Sequence, residues 1–238
     1  MLQGTIALCE SQSVTMVNVI EQANSSVGAT LSELIRAVEA ADSKGAMVVA
    51  VNRLAAAQDA AAIPTLITVL GYNNPGAAVA AVDGLASLGS AAVPALLEQI
   101  DGYNYGARAW AIRAVALIGD PRALPVLLDT AKGDFALSVR RAAARGLGTI
   151  DWTLLASEQA AAAQREVVEV LTNATVDPEW IVRYAAVAGL HALAPNLIDP
   201  EAHRSTILAS LLQVFQQDDV PAVQARARLA LDSLEAPR

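Results

Sequence analysis

The chain has 238 residues, of which 54% are hydrophobic and only 4% aromatic, and its formal net charge is −8. This negative charge argues against nucleic-acid binding, because the neutralisation of phosphates requires a basic surface. Membrane insertion is not expected either, since no apolar stretch reaches about 18 residues without a charge or a turn signal. The single cysteine, Cys9, can form no internal disulfide, and the first cationic residue is Arg36, which does not fit a secretory signal. We therefore expect a cytoplasmic protein.

The N-terminal segment, residues 1–29, is polar and has no helical period, so we expect a flexible leader. The run Thr30-Leu31-Ser32-Glu33 follows it and is typical of a capping box at the start of a helix. Beyond this point the apolar periodicity and the turn signals predict six helix pairs. The outer helices are expected at residues 31–41, 62–71, 91–100, 121–132, 158–173 and 201–217, and the inner helices at residues 45–57, 75–88, 106–118, 137–150, 179–193 and 220–234.

Three of the outer helices begin with the same pattern, an aliphatic residue followed by proline and further small or aliphatic residues. The pattern stands at residues 63–67, 93–97 and 124–128, at spacings of 30 and 31 residues. A repeat of this length, built from two short helices, is typical of an α-solenoid. The predicted fold is therefore all-α, with residues 30–238 as a single solenoid.

The inner helices can be aligned by their small apolar faces. This alignment places one residue of each helix in register, namely Ala46, Ala77, Ala107, Val139, Val182 and Val223. The position six residues further on lies away from the packed side, at about 100° of rotation per residue. In chain order that position holds Asn52, Asp83, Arg113, Arg145, Ala188 and Leu229. Because neighbouring helices pack about 8–10 Å apart, we expect Asp83, Arg113 and Arg145 to line one groove.

Aromatic residues cluster around the second and third inner helices. Tyr72, Tyr103 and Tyr105 stand in two turns rich in Asn and Gly, although tyrosine is not a turn-forming residue. Trp110 occupies a position where the other inner helices carry Val, Ala or Arg, so it either fills a gap in the packing or offers a stacking surface. Exposed aromatic residues beside arginine are common on recognition surfaces. These four residues are therefore candidate binding residues, with packing of the tyrosines on the next repeat as the alternative.

Arginine supplies 14 of the 16 cationic residues, which indicates either specific contacts with carboxylates and π-systems or an Arg-rich genome. Arg108, Arg140 and Arg183 share one position in successive inner helices. We expect Arg140 and Arg183 to pair with the preceding turn, as arginines at this position of helical repeats often do. Arg108 stands beside the aromatic cluster and is a further candidate binding residue.

The sequence carries no signature of a catalytic or metal site. His191 and His203 lie apart, and neither has a Cys or carboxylate companion at the spacing of metal ligands. Glycine-rich phosphate loops and a Gly-x-Ser-x-Gly elbow do not occur. The last inner helix carries Arg226, Arg228 and Asp232 and is expected to cap the solenoid. From the residues alone we expect a binding solenoid whose catalytic residues are unknown.

Three segments, residues 70–89, 101–128 and 134–152, resemble a known family. Their turns Leu-Gly-Tyr-Asn-Asn-Pro-Gly and Asp-Gly-Tyr-Asn-Tyr-Gly, with their flanks, are similar to the HEAT-like repeats of the phycobilisome-lyase class. They look most like the F-type (beta) subunit of the two-subunit phycocyanobilin lyases. The resemblance is specific over residues 31–152 and looser to the C-terminus. It implies a HEAT-like α-solenoid, or α-α superhelix, of about six helix pairs.

The resemblance also implies an activity. Such subunits work with an E-type (alpha) partner and attach the linear tetrapyrrole phycocyanobilin to a cysteine of the phycocyanin alpha subunit through a thioether. Relatives that also isomerise the bilin carry an Asn-His-Cys motif, which this sequence lacks, so attachment without isomerisation is expected. Phycocyanobilin would be a substrate, with no permanently bound cofactor and no metal. The protein would be located in a cyanobacterial-type cytosol, near the thylakoid phycobilisomes.

Chemistry suggests how the candidate residues would meet a bilin, which has two propionates, four pyrrolic nitrogens and a long π-face. Arg113 and Arg145 suit the propionates through charge-assisted bidentate contacts, and Asp83 suits the pyrrole N–H groups. Trp110 with one of the tyrosines could cover a face. Two other functions stay open. One is a lyase-like chaperone or bilin-removing protein of phycobilisome turnover, and the other is a non-catalytic HEAT scaffold.

Overall fold

Twelve α-helices, arranged as six consecutive pairs, make up the part of the chain that the computed structural model describes, residues 29–100 and 104–235. No strand occurs within these residues. The outer helices are α1 (Leu31–Glu39), α3 (Ile63–Leu70), α5 (Val93–Ile100), α7 (Leu124–Gly133), α9 (Ser157–Ala174) and α11 (Pro200–Gln217). The inner helices are α2 (Lys44–Ala56), α4 (Pro75–Leu88), α6 (Tyr105–Ile118), α8 (Leu137–Leu147), α10 (Trp180–Leu193) and α12 (Pro221–Glu235).

The six predicted pairs are thus confirmed, with helix ends that differ from the prediction by a few residues. The largest differences, three residues each, lie at the start of α7, where the short 3₁₀ turn Pro121–Ala123 precedes the α-helix, and at the end of α8. The predicted leader, residues 1–29, falls almost wholly outside the described residues.

Local hydrogen bonds explain why the helices start where they do. The predicted capping box forms, since the Thr30 backbone N–H donates to Glu33 Oε2 at 2.8 Å and the Glu33 N–H donates to Thr30 Oγ1 at 3.4 Å. The side chain of Asn74 caps α4 by accepting from the Ala77 N–H. Asn104 caps α6 in the same way. The asparagines of the two unusual turns therefore have a structural role as helix caps.

The helices form two layers with the hydrophobic core between them. Neighbouring inner helices contact each other along much of their length, whereas neighbouring outer helices contact each other less. A solenoid curves towards its more closely packed layer, so the free face of the inner helices lies on the concave side. The largest fully buried side chains come from both layers and include Leu54, Leu66, Leu85, Leu96, Ile112, Leu127, Leu147, Leu171, Leu190 and Ile207.

A series of ion pairs ties successive repeats together at the turns. Arg140 donates to both carboxylate oxygens of Asp177, at 2.8 and 3.0 Å, and Arg183 does the same with Asp218, at 2.7 and 3.0 Å. Hydrogen bonding to these carboxylates raises the pKa of both arginines. Each guanidinium also donates to a backbone carbonyl in the turn before its own helix. The structural role predicted for Arg140 and Arg183 is confirmed, but the preceding turn supplies only carbonyl acceptors, and the carboxylates that pair with them stand in the corresponding turn of the next repeat.

Within the described residues no single helix is both long and apolar enough to cross a membrane. Only the segments Pro75–Ala91 and Val93–Ile100 pass that test together, by length and composition, and they meet at a bend of 120°.

Candidate ligand-binding groove

A cavity of about 920 Å³ opens along the free faces of the last four inner helices, α6, α8, α10 and α12. We call it the arginine groove. Its lining comprises Ala109, Trp110, Arg113, Ala116, Leu117, Ser138, Arg141, Ala142, Arg145, Gly146, Thr149, Trp180, Ile181, Tyr184, Ala185 and Ala222. The volume lies within the range of pockets that bind small molecules and cofactors, roughly 300–1,000 Å³.

The lining combines positive charge with aromatic surface. Arg113, Arg141 and Arg145 contribute three guanidinium groups, and none of the described residues in the lining is a carboxylate. This composition contrasts with the net charge of −8 of the whole chain. Because arginine forms bidentate bonds with carboxylates and also stacks on flat π-systems, the groove suits an extended, anionic, conjugated ligand.

The aromatic side chains of the groove lie at both of its sides. Trp110 on α6 is partly buried against the core, and the guanidinium carbon of Arg113 lies 5.6 Å from the centroid of its ring. Trp180 and Tyr184 on α10 are exposed by 45% and 37%. A ligand that spans the groove would therefore meet indole rings at either side.

Three of the predicted site residues, Arg113, Arg145 and Trp110, line the arginine groove. None of the other predicted residues whose side chains the structure describes belongs to its lining. Asp83 is exposed on α4 and Tyr72 is exposed in the turn before α4, outside the lining of the groove. Tyr103 and the side chain of Tyr105 lie outside the described residues.

Arg108 also lies apart from the groove. Its guanidinium pairs with the buried carboxylate of Asp134, in the turn between α7 and α8. It therefore occupies the same structural position as Arg140 and Arg183, and it continues their series of ion pairs towards the N-terminus. The placement of Arg108 beside aromatic residues in the sequence suggested a binding role, but the carboxylate one repeat further on holds its side chain.

Sequence reasoning missed Arg141, Trp180 and Tyr184. The alignment of the inner helices contains the signal that finds them. Relative to the buried register residue of each helix, the positions −2, −1, +2, +3, +6 and +10 lie within about 140° of one another on the helix. Arg141 and Tyr184 share the position +2, and Trp180 has the position −2, so all three lie on the same face as Arg113 and Arg145.

The described residues contain no group of three or more His, Cys, Asp or Glu side chains that could hold a metal ion. The groove likewise offers no nucleophile beyond the hydroxyl groups of Ser138, Thr149 and Tyr184. Its residues can bind, orient and shield a ligand.

The HEAT repeats family matches this chain at residues 63–148 and 93–190. A phycobilisome maturation protein of Synechococcus elongatus is 54% identical over 206 residues, which cover 86% of this chain and 98% of that protein. The phycocyanin alpha phycocyanobilin lyase CpcF of Synechocystis is 51% identical over 202 residues, which cover 85% and 92%. Among solved structures, the complex of CpcE and CpcF of phycocyanin lyase from Nostoc contains a chain that is 49% identical. It superimposes with a TM-score of 0.67 over 72% of this chain and 99% of that one.

Proposed function

Because the chain belongs to the HEAT-repeat family of phycocyanobilin lyase beta subunits, we propose that it is the F-type (beta) subunit of such a lyase. With an E-type (alpha) partner it attaches phycocyanobilin to a cysteine of the phycocyanin alpha subunit through a thioether. The enzyme is active as the heterodimer and does not isomerise the bilin. Phycocyanobilin is a substrate, no cofactor is permanently bound, and the place of work is the cytosol of a cyanobacterial cell near the phycobilisomes.

The observation that carries this proposal is the composition of the arginine groove. A linear tetrapyrrole combines a long π-face with two propionates. The groove provides two indole rings and a phenol ring for the π-face, and three guanidinium groups for the carboxylates. Charge-assisted hydrogen bonds between arginine and carboxylate are among the strongest in proteins.

The catalytic contribution of the groove is positioning. The acceptor cysteine of the client supplies the sulfur nucleophile, so the subunit has no need of its own. A bilin held in one conformation presents the same carbon to that sulfur in each encounter, which replaces a search in solution by a defined approach. Shielding of the remaining π-face also suppresses wrong adducts. The sequence also suggested four further bilin ligands, Asp83, Tyr72, Tyr103 and Tyr105. They belong to this proposal only if the bound bilin or the E-type partner extends past α6.

Reconstitution tests the proposal. The purified chain, its E-type partner, the phycocyanin alpha subunit and phycocyanobilin should together yield a coloured alpha subunit whose bilin survives denaturing electrophoresis. Leaving out this chain should abolish the coloured band. A shift of the visible absorption band without a covalent product would instead favour a chaperone or a bilin-removing protein. No shift at all would favour a scaffold.

A further inference from the structure

The arginine groove has two unlike halves. Its three arginines all belong to α6 and α8. The half that α10 and α12 form has no charged residue among the described lining, which there consists of Trp180, Ile181, Tyr184, Ala185 and Ala222. In a linear tetrapyrrole the two propionates stand on the inner rings, whereas the two terminal rings carry no carboxylate. A bilin that lies along the groove with its propionates on α6 and α8 therefore places a terminal ring over α10.

Tyr184 lies in the uncharged half, on the helix next to the arginines of α8. It is 37% exposed and belongs to the lining of the groove. In the alignment of the inner helices it has the position +2, which Arg141 holds in α8. The two helices approach closely, since a Cβ atom on Gly189 would come within 2.5 Å of the carbonyl oxygen of Ala144. Tyr184 and Arg141 thus enter the groove at the same level from adjacent helices, and a terminal ring beside a bound propionate passes the phenol.

Tyr184 is also the only residue of the described lining that is suited to proton transfer. Side chains that act as general acids or bases are mainly those of His, Asp, Glu, Lys, Tyr and Cys, and the described lining contains one residue of these types. Arginine does not give up its proton in proteins. The aliphatic hydroxyl groups of Ser138 and Thr149 are far weaker acids than a phenol. Within the described lining, Tyr184 is therefore the group that can give a proton to a bound bilin.

Formation of the thioether is an addition that requires such a proton. A bond forms between the thiol sulfur and the exocyclic ethylidene carbon of one terminal ring, and the double bond that joins this carbon to the ring breaks. The electron pair of the double bond takes up a proton at the adjacent ring carbon, while the thiol loses its proton. No oxidant or reductant takes part. A proton donor beside this terminal ring lowers the barrier, because negative charge does not build up on the bilin.

We propose that Tyr184 is the general acid of bilin attachment, whose phenol donates a proton to the ring carbon as the sulfur adds. This inference rests on the proposed function. The reactive terminal ring lies over α10, between Trp180 and Tyr184, and the propionates lie on α6 and α8. Water receives the proton of the thiol and returns one to the phenolate, so the side chain is unchanged after each turnover. Tyr184 thus adds proton transfer to the positioning that the rest of the groove provides.

Single-turnover attachment by the complex with the E-type partner, at saturating phycocyanobilin and phycocyanin alpha subunit, tests the role of Tyr184. Tyr184→Phe keeps the ring and removes only the hydroxyl group. The affinity for phycocyanobilin, measured by absorption titration, should stay within about twofold of wild type because the stacking ring is retained. The attachment rate should fall roughly 100-fold, at the lower end of the usual contribution of a general acid. Thr68→Val removes a hydroxyl group from the exposed side of the outer helix α3 and should leave both quantities unchanged.

An attachment rate of Tyr184→Phe within a few fold of wild type would overturn the proposal. So would a loss of rate that disappears as the bilin concentration is raised, because the hydroxyl group would then serve binding alone. Tyr184→Leu, which also removes the ring, should lose affinity as well as rate, and a wild-type rate in this variant would equally exclude a general acid at this position. A wild-type complex that yields no covalent product would remove the proposed function together with the general acid, whereas the other outcomes remove the general acid alone.

Discussion

The guanidinium carbon of Arg113 lies over the indole ring of Trp110, 5.6 Å from the ring centroid. The contact joins a cation and an aromatic face within one helical turn of α6. A cation in this position is held by the ring quadrupole without a carboxylate partner. Its N–H groups are thus pre-positioned but still available to a ligand.

Arg145→Ala should lower the rate of bilin attachment without lowering the melting temperature appreciably. Arg145 is an exposed groove residue with no ion pair among the described residues, and exposed changes usually cost less than about 0.5 kcal/mol. Loss of a charge-assisted bond to the ligand should weaken binding by about tenfold. The measurements are transfer kinetics of the reconstituted enzyme and thermal unfolding.

Arg165→Ala is the matched control, because Arg165 lies on the outer helix α9, outside the groove lining. It should transfer bilin like the wild type. A melting temperature that falls by many degrees in Arg145→Ala, with normal transfer, would show that Arg145 serves the fold and not the ligand.

Much of the fold could be predicted from the sequence, because the helical period, proline in the first turn and the capping box at Thr30 act locally. The groove could be predicted only in part. Its position depends on which inner helices leave space between them, and Ala142 and Ala185 line the cavity where a larger residue would fill it. The partner of Arg108 could not be predicted either, since Asp134 is 26 residues away and meets it only through the stacking of repeats.

Arg140→Ala should destabilise the fold by about 1–3 kcal/mol, because it leaves the part-buried carboxylate of Asp177 and a turn carbonyl without their charged donor. Chemical denaturation measures the loss. The double variant Arg140→Ala, Asp177→Ala should lose less than the sum of the two single variants, since the bond is already absent in each. Strict additivity would mean that the pair does not couple the repeats.

Gly189→Ala should destabilise the protein by about 1–3 kcal/mol or more. A Cβ atom there would come within 2.5 Å of the carbonyl oxygen of Ala144, so α8 and α10 would have to move apart. Gly45→Ala is the control, because nothing lies within 4 Å of its Cβ position in α2. It should be neutral or slightly stabilising, since alanine favours the helix. Equal melting temperatures for the two variants would contradict the close approach of α8 and α10.

The contribution of His191 to stability should depend on pH. Its pKa in the folded protein lies below the unfolded value of 6.5, so the unfolded chain binds the proton first. The contribution is therefore complete above about pH 6.5 and is lost as the pH falls towards the folded pKa. The difference in unfolding free energy between wild type and His191→Gln should narrow from pH 7.5 to pH 5. The carboxylates of the chain titrate alike in the two proteins, so they cancel in this difference. A constant difference would show that folding does not lower the pKa of His191.

Substitution of Trp180 and of Trp152 should have opposite effects on ligand affinity and on stability. Trp180 is 45% exposed and lines the arginine groove, whereas Trp152 is only 7% exposed and lies in the core. Trp180→Leu removes a stacking surface worth about 0.5–1.5 kcal/mol, so phycocyanobilin affinity should fall about three- to tenfold with an unchanged melting temperature.

Trp152→Leu should behave in the opposite way. It leaves a cavity in the core, so the melting temperature should fall by several degrees, while the affinity for phycocyanobilin stays near that of the wild type. Both quantities can be measured on the same samples, by absorption titration at a temperature where each variant is folded and by thermal unfolding without ligand. If Trp180→Leu lost stability and kept its affinity, the indole of Trp180 would be a packing residue, and the π-face of the ligand would have to rest on Trp110 and Tyr184 alone.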